Sequence, residues 1–300
     1  MKTAVKIDSG NWSVWLEVLA RQRTADQELY QHLHGLDCDA SLFDSQDFQA
    51  RLKEMGLRCL HERNLVPNDA SAALSLAVHQ HCLPQFYAQI YHAMGVAGSV
   101  ADCQAFSMPF RLDRLPANAS GEDGGTHSVT LPRLATFLAR LMFAPVNHPF
   151  AILVPVRLPR PFPNSQEIDR ALELCACVQA TAADSSEDGD WVPSDQRSAI
   201  KNGQVGICLH LYPDEGIMPD YQDSALSGLA PFLKAICFHY NVTASETLFD
   251  DEQENWAARL ADNGYQGNIV FCPDECPAAD LPEVLRNVAA WAKLYQRQTP

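Results

Sequence analysis

Val205-Gly-Ile-Cys-Leu-His-Leu-Tyr-Pro-Asp-Glu215 is the stretch on which the fold prediction turns: an apolar run ends at a proline and two acids, and a helix-like segment follows. The same order returns at Asn268-Ile-Val-Phe-Cys-Pro-Asp-Glu275. A third run, Phe150-Ala-Ile-Leu-Val-Pro-Val156, is continuously apolar, as expected of a strand buried on both faces, with Pro155 marking an edge or a strand end. Helical patterns come after each run. Ser165 caps Gln166 to Val178, where Ile168, Leu172 and Cys175 share one side; further helices are expected from about Ser224 to Tyr240 and from about Asp280 to Gln296. Three strand-then-helix units predict a small, mostly parallel sheet with right-handed crossovers. The acidic, apolar-poor stretch Thr181 to Ser198 reads as a linker or surface insertion.

Toward the N-terminus the hydrophobic period is helical. Trp12, Trp15, Leu16 and Leu19 begin it, Leu29, Leu33 and Leu36 follow, and Phe48, Leu52, Met55 and Cys59 repeat it. Asn68 or Asp69 caps a further segment, interrupted at Pro84 and continued by Phe86, Ile90 and Met94. Leu131 to Phe143 is strongly amphipathic, with Pro132 in the first turn, where a missing N–H costs little. The expected fold class is therefore α+β or α/β: a helical N-terminal region, residues 1–146, followed by a small, mostly parallel, acidic α/β region, residues 147–300. One continuous domain with a helical cap is the alternative.

Three hundred residues with 47% hydrophobic content can bury a sizeable core. Met1 to Gly10 carries Lys2, Lys6 and Asp8 without an apolar stretch, so no secretory signal is expected there, and no segment reaches the length of a membrane span. Ten cysteines scattered through apolar segments read as reduced, mostly buried thiols of a cytoplasmic protein. The net charge of −15 argues against nucleic acid as a partner, since binding phosphates needs a basic face. Residues 1–145 hold 12 Lys+Arg against 15 Asp+Glu, whereas residues 146–300 hold 10 against 22. The second half thus carries most of the field, which can steer a basic protein or a cation toward it.

Four groups of residues are candidates for chemistry. Asp214, Glu215, Asp274 and Glu275 stand at strand ends and would hold Mg²⁺ or Mn²⁺ if the two strands were neighbours; the competing reading is ordinary turn chemistry, with acids favoured at helix starts. Cys272 and Cys276 form a C-x3-C that a helix N-terminus would activate, but Asp274 and Glu275 between them oppose a lowered thiol pKa. His79, His81 and Cys82, with His92, lack the spacing that would put metal ligands on one helix face. His148, in the loop Pro145-Val-Asn-His-Pro149, is a candidate general base at a junction where clefts form. The P-loop, dinucleotide-binding, nucleophile-elbow and H-E-x-x-H signatures are absent. The function expected from charge and missing signatures is an acidic partner-binding protein, an adaptor, regulator or inhibitor that engages a basic protein surface. A metal-assisted hydrolase or transferase using the strand-end carboxylates and His148 is the alternative, and a thiol-dependent activity is third.

Overall fold

A computed structural model describes residues 1–63, 83–107, 131–144, 146–157, 166–188, 203–211, 226–241, 251–274 and 276–298. Its eight strands are β1 (Lys2–Ile7), β2 (Gly35–Asp39), β3 (Cys59–Arg63), β4 (Ala105–Ser107), β5 (Phe150–Arg157), β6 (Gly203–Leu211), β7 (Leu233–Asn241) and β8 (Asn268–Asp274). Every strand pairs in parallel with the next, and β8 pairs with β1, so the sheet closes on itself. Eight parallel strands in sequence order, wrapped by helices, make a (β/α)8 or TIM-type barrel.

This corrects the expected fold class. The N-terminal region is not a helical unit preceding a small sheet; it supplies β1 to β4, half of the barrel wall. β4 pairs with β5, so the sheet crosses the change of hydrophobic period at residues 145–149 without interruption. Leu36 and Cys59, which fit a helical period, lie in β2 and β3. The stretch 233–241, expected to be helix, is β7: Ile236 and Phe238 face the surrounding helices while Ala235 and Cys237 face the barrel interior. That alternation is the period of a strand, and Pro231 stands ahead of it, where a helix running from Ser224 would need an N–H.

The helices are α1 (Trp12–Ala25), α2 (Gln27–Tyr30), α3 (Gln46–Met55), α4 (Leu83–Ala101), α5 (Leu131–Leu141), α6 (Gln166–Asp188), α7 (Asp251–Asp262) and α8 (Leu281–Gln298). α3 shows why the local sequence folds as it does. Ser45 accepts a hydrogen bond from the Phe48 N–H at 3.3 Å, Asp47 sits in the positive first turn, and Gly56, at φ +63°, ends the helix in the left-handed conformation that costs glycine least. Phe48, Leu52 and Met55 fall on its buried face, each contributing about 1.5–3 kcal/mol by leaving water. Most of the apolar core lies in this layer between strands and helices. Inside the barrel the packing side chains are mainly small, with Ala4, Ala105, Ala151 and Ala235 beside Cys208, Cys237 and Cys272. Among the described residues no helix is long and apolar enough to cross a membrane.

Candidate active site

Parallel closure gathers all eight strand C-termini at one mouth, the end at which barrel enzymes carry their chemistry. Four inward side chains on β2, β3 and β4 form a connected chain there. β3 carries an irregularity against β2: Leu36 pairs with Cys59, but the next pair is Asp37 with His61, so Leu60 is an extra residue. A bulge of this kind re-aims the side chains beyond it. His61 Nδ1 lies 2.6 Å from Asp37 Oδ2, and His61 Nε2 lies 2.9 Å from Ser107 Oγ. Arg63 binds the other carboxylate oxygen, Asp37 Oδ1, and also donates to the Ile7 carbonyl at 3.1 Å and to Asp8 Oδ1 at 3.2 Å. Asp37, His61 and Ser107 are all buried.

Burial works to raise the Asp37 carboxyl, but the charges of Arg63 and His61 and their hydrogen bonds outweigh it and bring it down to about 2. Asp37 is therefore ionised near neutrality and can only accept. In the neutral imidazole the ring proton of His61 then sits on Nδ1, the Nε2 lone pair points away from Asp37, and the Ser107 hydroxyl donates to it. Burial opposes the charge of Arg63, yet the neighbouring Asp37 raises its pKa above the ordinary arginine value.

On the far wall, His210 Nδ1 and His239 Nε2 are 2.9 Å apart, one donating and one accepting. One layer deeper, Cys208 Sγ and Cys237 Sγ are 3.4 Å apart, and His61, Cys208 and Cys237 bring one ligand atom each to within 4.8 Å of one another. Behind β3, on the helix side, both carboxyl oxygens of Glu62 are buried without a hydrogen-bond partner among the described residues. Burial, reinforced by Cys59, Asp39 and Asp44, raises this carboxyl well above its ordinary range.

The residues singled out from sequence are different ones. Asp274 is the last residue of β8, while Asp214, Glu215 and Glu275 lie outside the described residues. β7 stands between β6 and β8, so the two strands leading into the Pro-Asp-Glu turns are not neighbours. Cys272 faces the barrel interior and Cys276 the helix layer, where its Sγ donates to the Pro277 carbonyl at 3.3 Å. Burial pushes the Cys272 thiol well above its ordinary value and the Cys276 thiol up to about 11. His148 precedes β5 at the opposite end of the barrel, where Nε2 donates to the Cys103 carbonyl at 2.6 Å and Nδ1 faces Asp102 Oδ1 at 3.4 Å. His92 is exposed on α4, and His79, His81 and Cys82 lie outside the described residues. Asp37, His61, Arg63, Ser107, His210 and His239 were not anticipated. Their shared signal is position: each lies at or near the carboxyl end of a strand.

No family model and no curated protein matches the chain. Solved structures match its fold over nearly the whole length. A 3-keto-D-glucoside 4-epimerase from E. coli shares 15% identity at a TM-score of 0.56, covering 98% of this chain and 99% of that one. A D-psicose 3-epimerase from Clostridium cellulolyticum H10, solved with D-tagatose, gives 10% identity and 0.56 with full coverage of both chains. A family 2 AP endonuclease from Brucella melitensis gives 16% identity and 0.55, covering 95% and 98%. At these identities the likeness establishes the barrel fold. It overturns the expected adaptor or inhibitor: the acidic half is not a separate binding unit but the second half of a barrel of the kind these enzymes have.

Proposed function

We propose that the chain is an enzyme that moves protons on a small, hydroxylated, carbohydrate-like substrate bound at the barrel mouth, as an isomerase or epimerase does. The observation that carries this reading is the buried Asp37–His61–Ser107 chain at the strand ends. Asp37 fixes the imidazole tautomer and stabilises the imidazolium that forms when His61 takes a proton, and Ser107 presents its hydroxyl between His61 and the substrate. The His210–His239 pair offers a second proton-holding group across the mouth, which epimerisation needs in order to return a proton to the opposite face of the carbon. The net charge of −15 favours a small molecule over a nucleic acid. The epimerase neighbours add the substrate class, keto sugars, as the first to try.

The test is to incubate the protein in D2O with a panel of ketohexoses and 3-keto-glycosides and follow deuterium entry at the carbon beside the carbonyl by NMR. Incorporation that falls about 10²–10⁴-fold in His61→Gln, and persists in His148→Gln, is the expected result. Absence of incorporation from every sugar overturns the reading. A second reading, acyl transfer with Ser107 as nucleophile, is favoured by the same Ser–His–Asp connectivity. Labelling of Ser107 by a fluorophosphonate, lost in His61→Gln, supports it, and an unlabelled Ser107 sinks it.

A further inference from the structure

We propose that the layer beneath the mouth is a site for a thiophilic divalent cation of the zinc class, held by His61 Nε2 and by the thiolates of Cys208 and Cys237. The inference rests on geometry and stands apart from the catalytic reading, although the two share His61. β3 on one side of the barrel and the adjacent β6 and β7 on the other converge these residues inside it, all three are buried, and an imidazole nitrogen of His61 and the two sulfurs already lie within 4.8 Å of one another. A tetrahedral zinc with Zn–S of about 2.3 Å and Zn–N of about 2.0–2.1 Å places its two sulfurs roughly 3.8 Å apart and each sulfur roughly 3.6 Å from the nitrogen. The two sulfurs, at 3.4 Å, need to part by only a few tenths of an ångström.

Asp37 supplies the second argument. Metal-bound histidines donate their other ring N–H to a carboxylate or carbonyl, which sets the tautomer and aims the lone pair. His61 already does this, with Nδ1 2.6 Å from Asp37 Oδ2. Its Nε2 lone pair is met, among the described residues, by the Ser107 hydroxyl at 2.9 Å, a donor that can rotate away. One imidazole and two sulfurs select zinc-like ions over the hard cations that oxygen ligands prefer. Binding releases two thiol protons to solvent and adds two metal–sulfur bonds and one metal–nitrogen bond, with no change of oxidation state. Three protein ligands leave a fourth position open. Because the metal takes the lone pair that Ser107 now uses, the loaded and relay forms exclude one another, and the cation switches the relay off.

Uptake is measured with Zn²⁺ by competition against a chromophoric chelator and with Co²⁺ by absorption. The wild-type protein is expected to bind a single equivalent of either ion, with a thiolate-to-cobalt charge-transfer band in the near ultraviolet. Cys208→Ser, Cys237→Ser and His61→Gln abolish the band, Asp37→Asn weakens Zn²⁺ binding about 10–100-fold, and Ser107→Ala binds as tightly as the wild type or more so. Zinc-edge X-ray absorption on the unmutated chain guards against variants that fail to fold: two sulfur scatterers and an imidazole support the site, and fewer than two sulfurs overturn it. Failure to take up zinc after reduction, with Cys208 and Cys237 recovered as a disulfide before it, also overturns it. These readouts do not involve turnover, so the metal site can fail while the proton-transfer reading survives, and the reverse.

Discussion

Asp37 Oδ2 and His61 Nδ1 come within 2.6 Å because β3 slips by one residue against β2 between the pairs Leu36–Cys59 and Asp37–His61. Without the slip, Asp37 would stand beside Leu60, which itself faces the barrel interior. The bulge thus turns a wall position that would be apolar into an ion-pair site, and sends Glu62 outward and Arg63 inward behind it.

Asp37→Asn tests what that relationship does. The amide keeps the shape but leaves Arg63 without its carboxylate and allows either tautomer of His61. Breaking a buried pair from one side costs about 3–5 kcal/mol, which urea denaturation will read. Nitrogen NMR of His61 should change from a ring protonated at Nδ1 to a mixture. An unchanged tautomer would show that Asp37 does not set it.

The strands that carry the site are the ones hardest to read from sequence, and for one reason. An inward strand position near the mouth is apolar in an ordinary barrel wall, whereas β2 and β3 place Asp37, His61 and Arg63 there, so their runs look like loop or helix. β1 is similar, with Lys2 and Lys6 among its six residues, and β4 has only three. By contrast β5, β6 and β8 are apolar for most of their length and stand out as strands, and the amphipathic periods of α1, α3 and α5 mark helices correctly. Of the Pro-Asp-Glu carboxylates only Asp274 is among the described residues, as the last residue of β8. The bulge beside Asp37 leaves no mark in composition, because it is a change of pairing from residues 23 apart, Leu36 and Cys59, to residues 24 apart, Asp37 and His61.

Acid should weaken the fold through Asp37. Its folded pKa, about 2, lies below the unfolded value near 3.9, so its contribution is complete above pH 4 and is lost as pH falls toward 2. The shift corresponds to about 2.5 kcal/mol. Urea titrations between pH 5 and pH 2 should show this loss in the wild type and a shallower slope in Asp37→Asn. Equal slopes would assign acid sensitivity to other carboxyls.

Glu62 has the opposite sign. Its raised folded pKa means that the unfolded chain ionises first, so the folded state loses relative stability as pH rises above roughly 4.3. Glu62→Gln removes the charge and keeps the shape. The variant should match the wild type near pH 4 and exceed it near pH 8, by on the order of 1 kcal/mol. A thermal midpoint lowered at both pH values would mean that the carboxyl finds a partner in the folded protein.

Gly203 separates the stability of the barrel from its chemistry. It begins β6 at the amino-terminal end of the wall, donates its N–H to the Met142 carbonyl at 3.0 Å, and lies so close to the backbone after α5 that an added Cβ would meet Met142 Cα at 2.6 Å and its carbonyl oxygen at 2.8 Å. Both contacts are with backbone, which cannot rotate aside as a side chain can, so Gly203→Ala must shift the β6 start or the α5 end. Overpacking of this kind costs about 1–3 kcal/mol. Gly10→Ala, where nothing lies within 4 Å, should change stability by no more than about 0.5 kcal/mol. Because Gly203 sits at the end of the barrel away from Asp37, His61 and Ser107, any proton-transfer activity per folded molecule should be unchanged in Gly203→Ala while the thermal midpoint falls. Activity lost at temperatures where the variant is still fully folded would show that the two ends of the barrel are coupled.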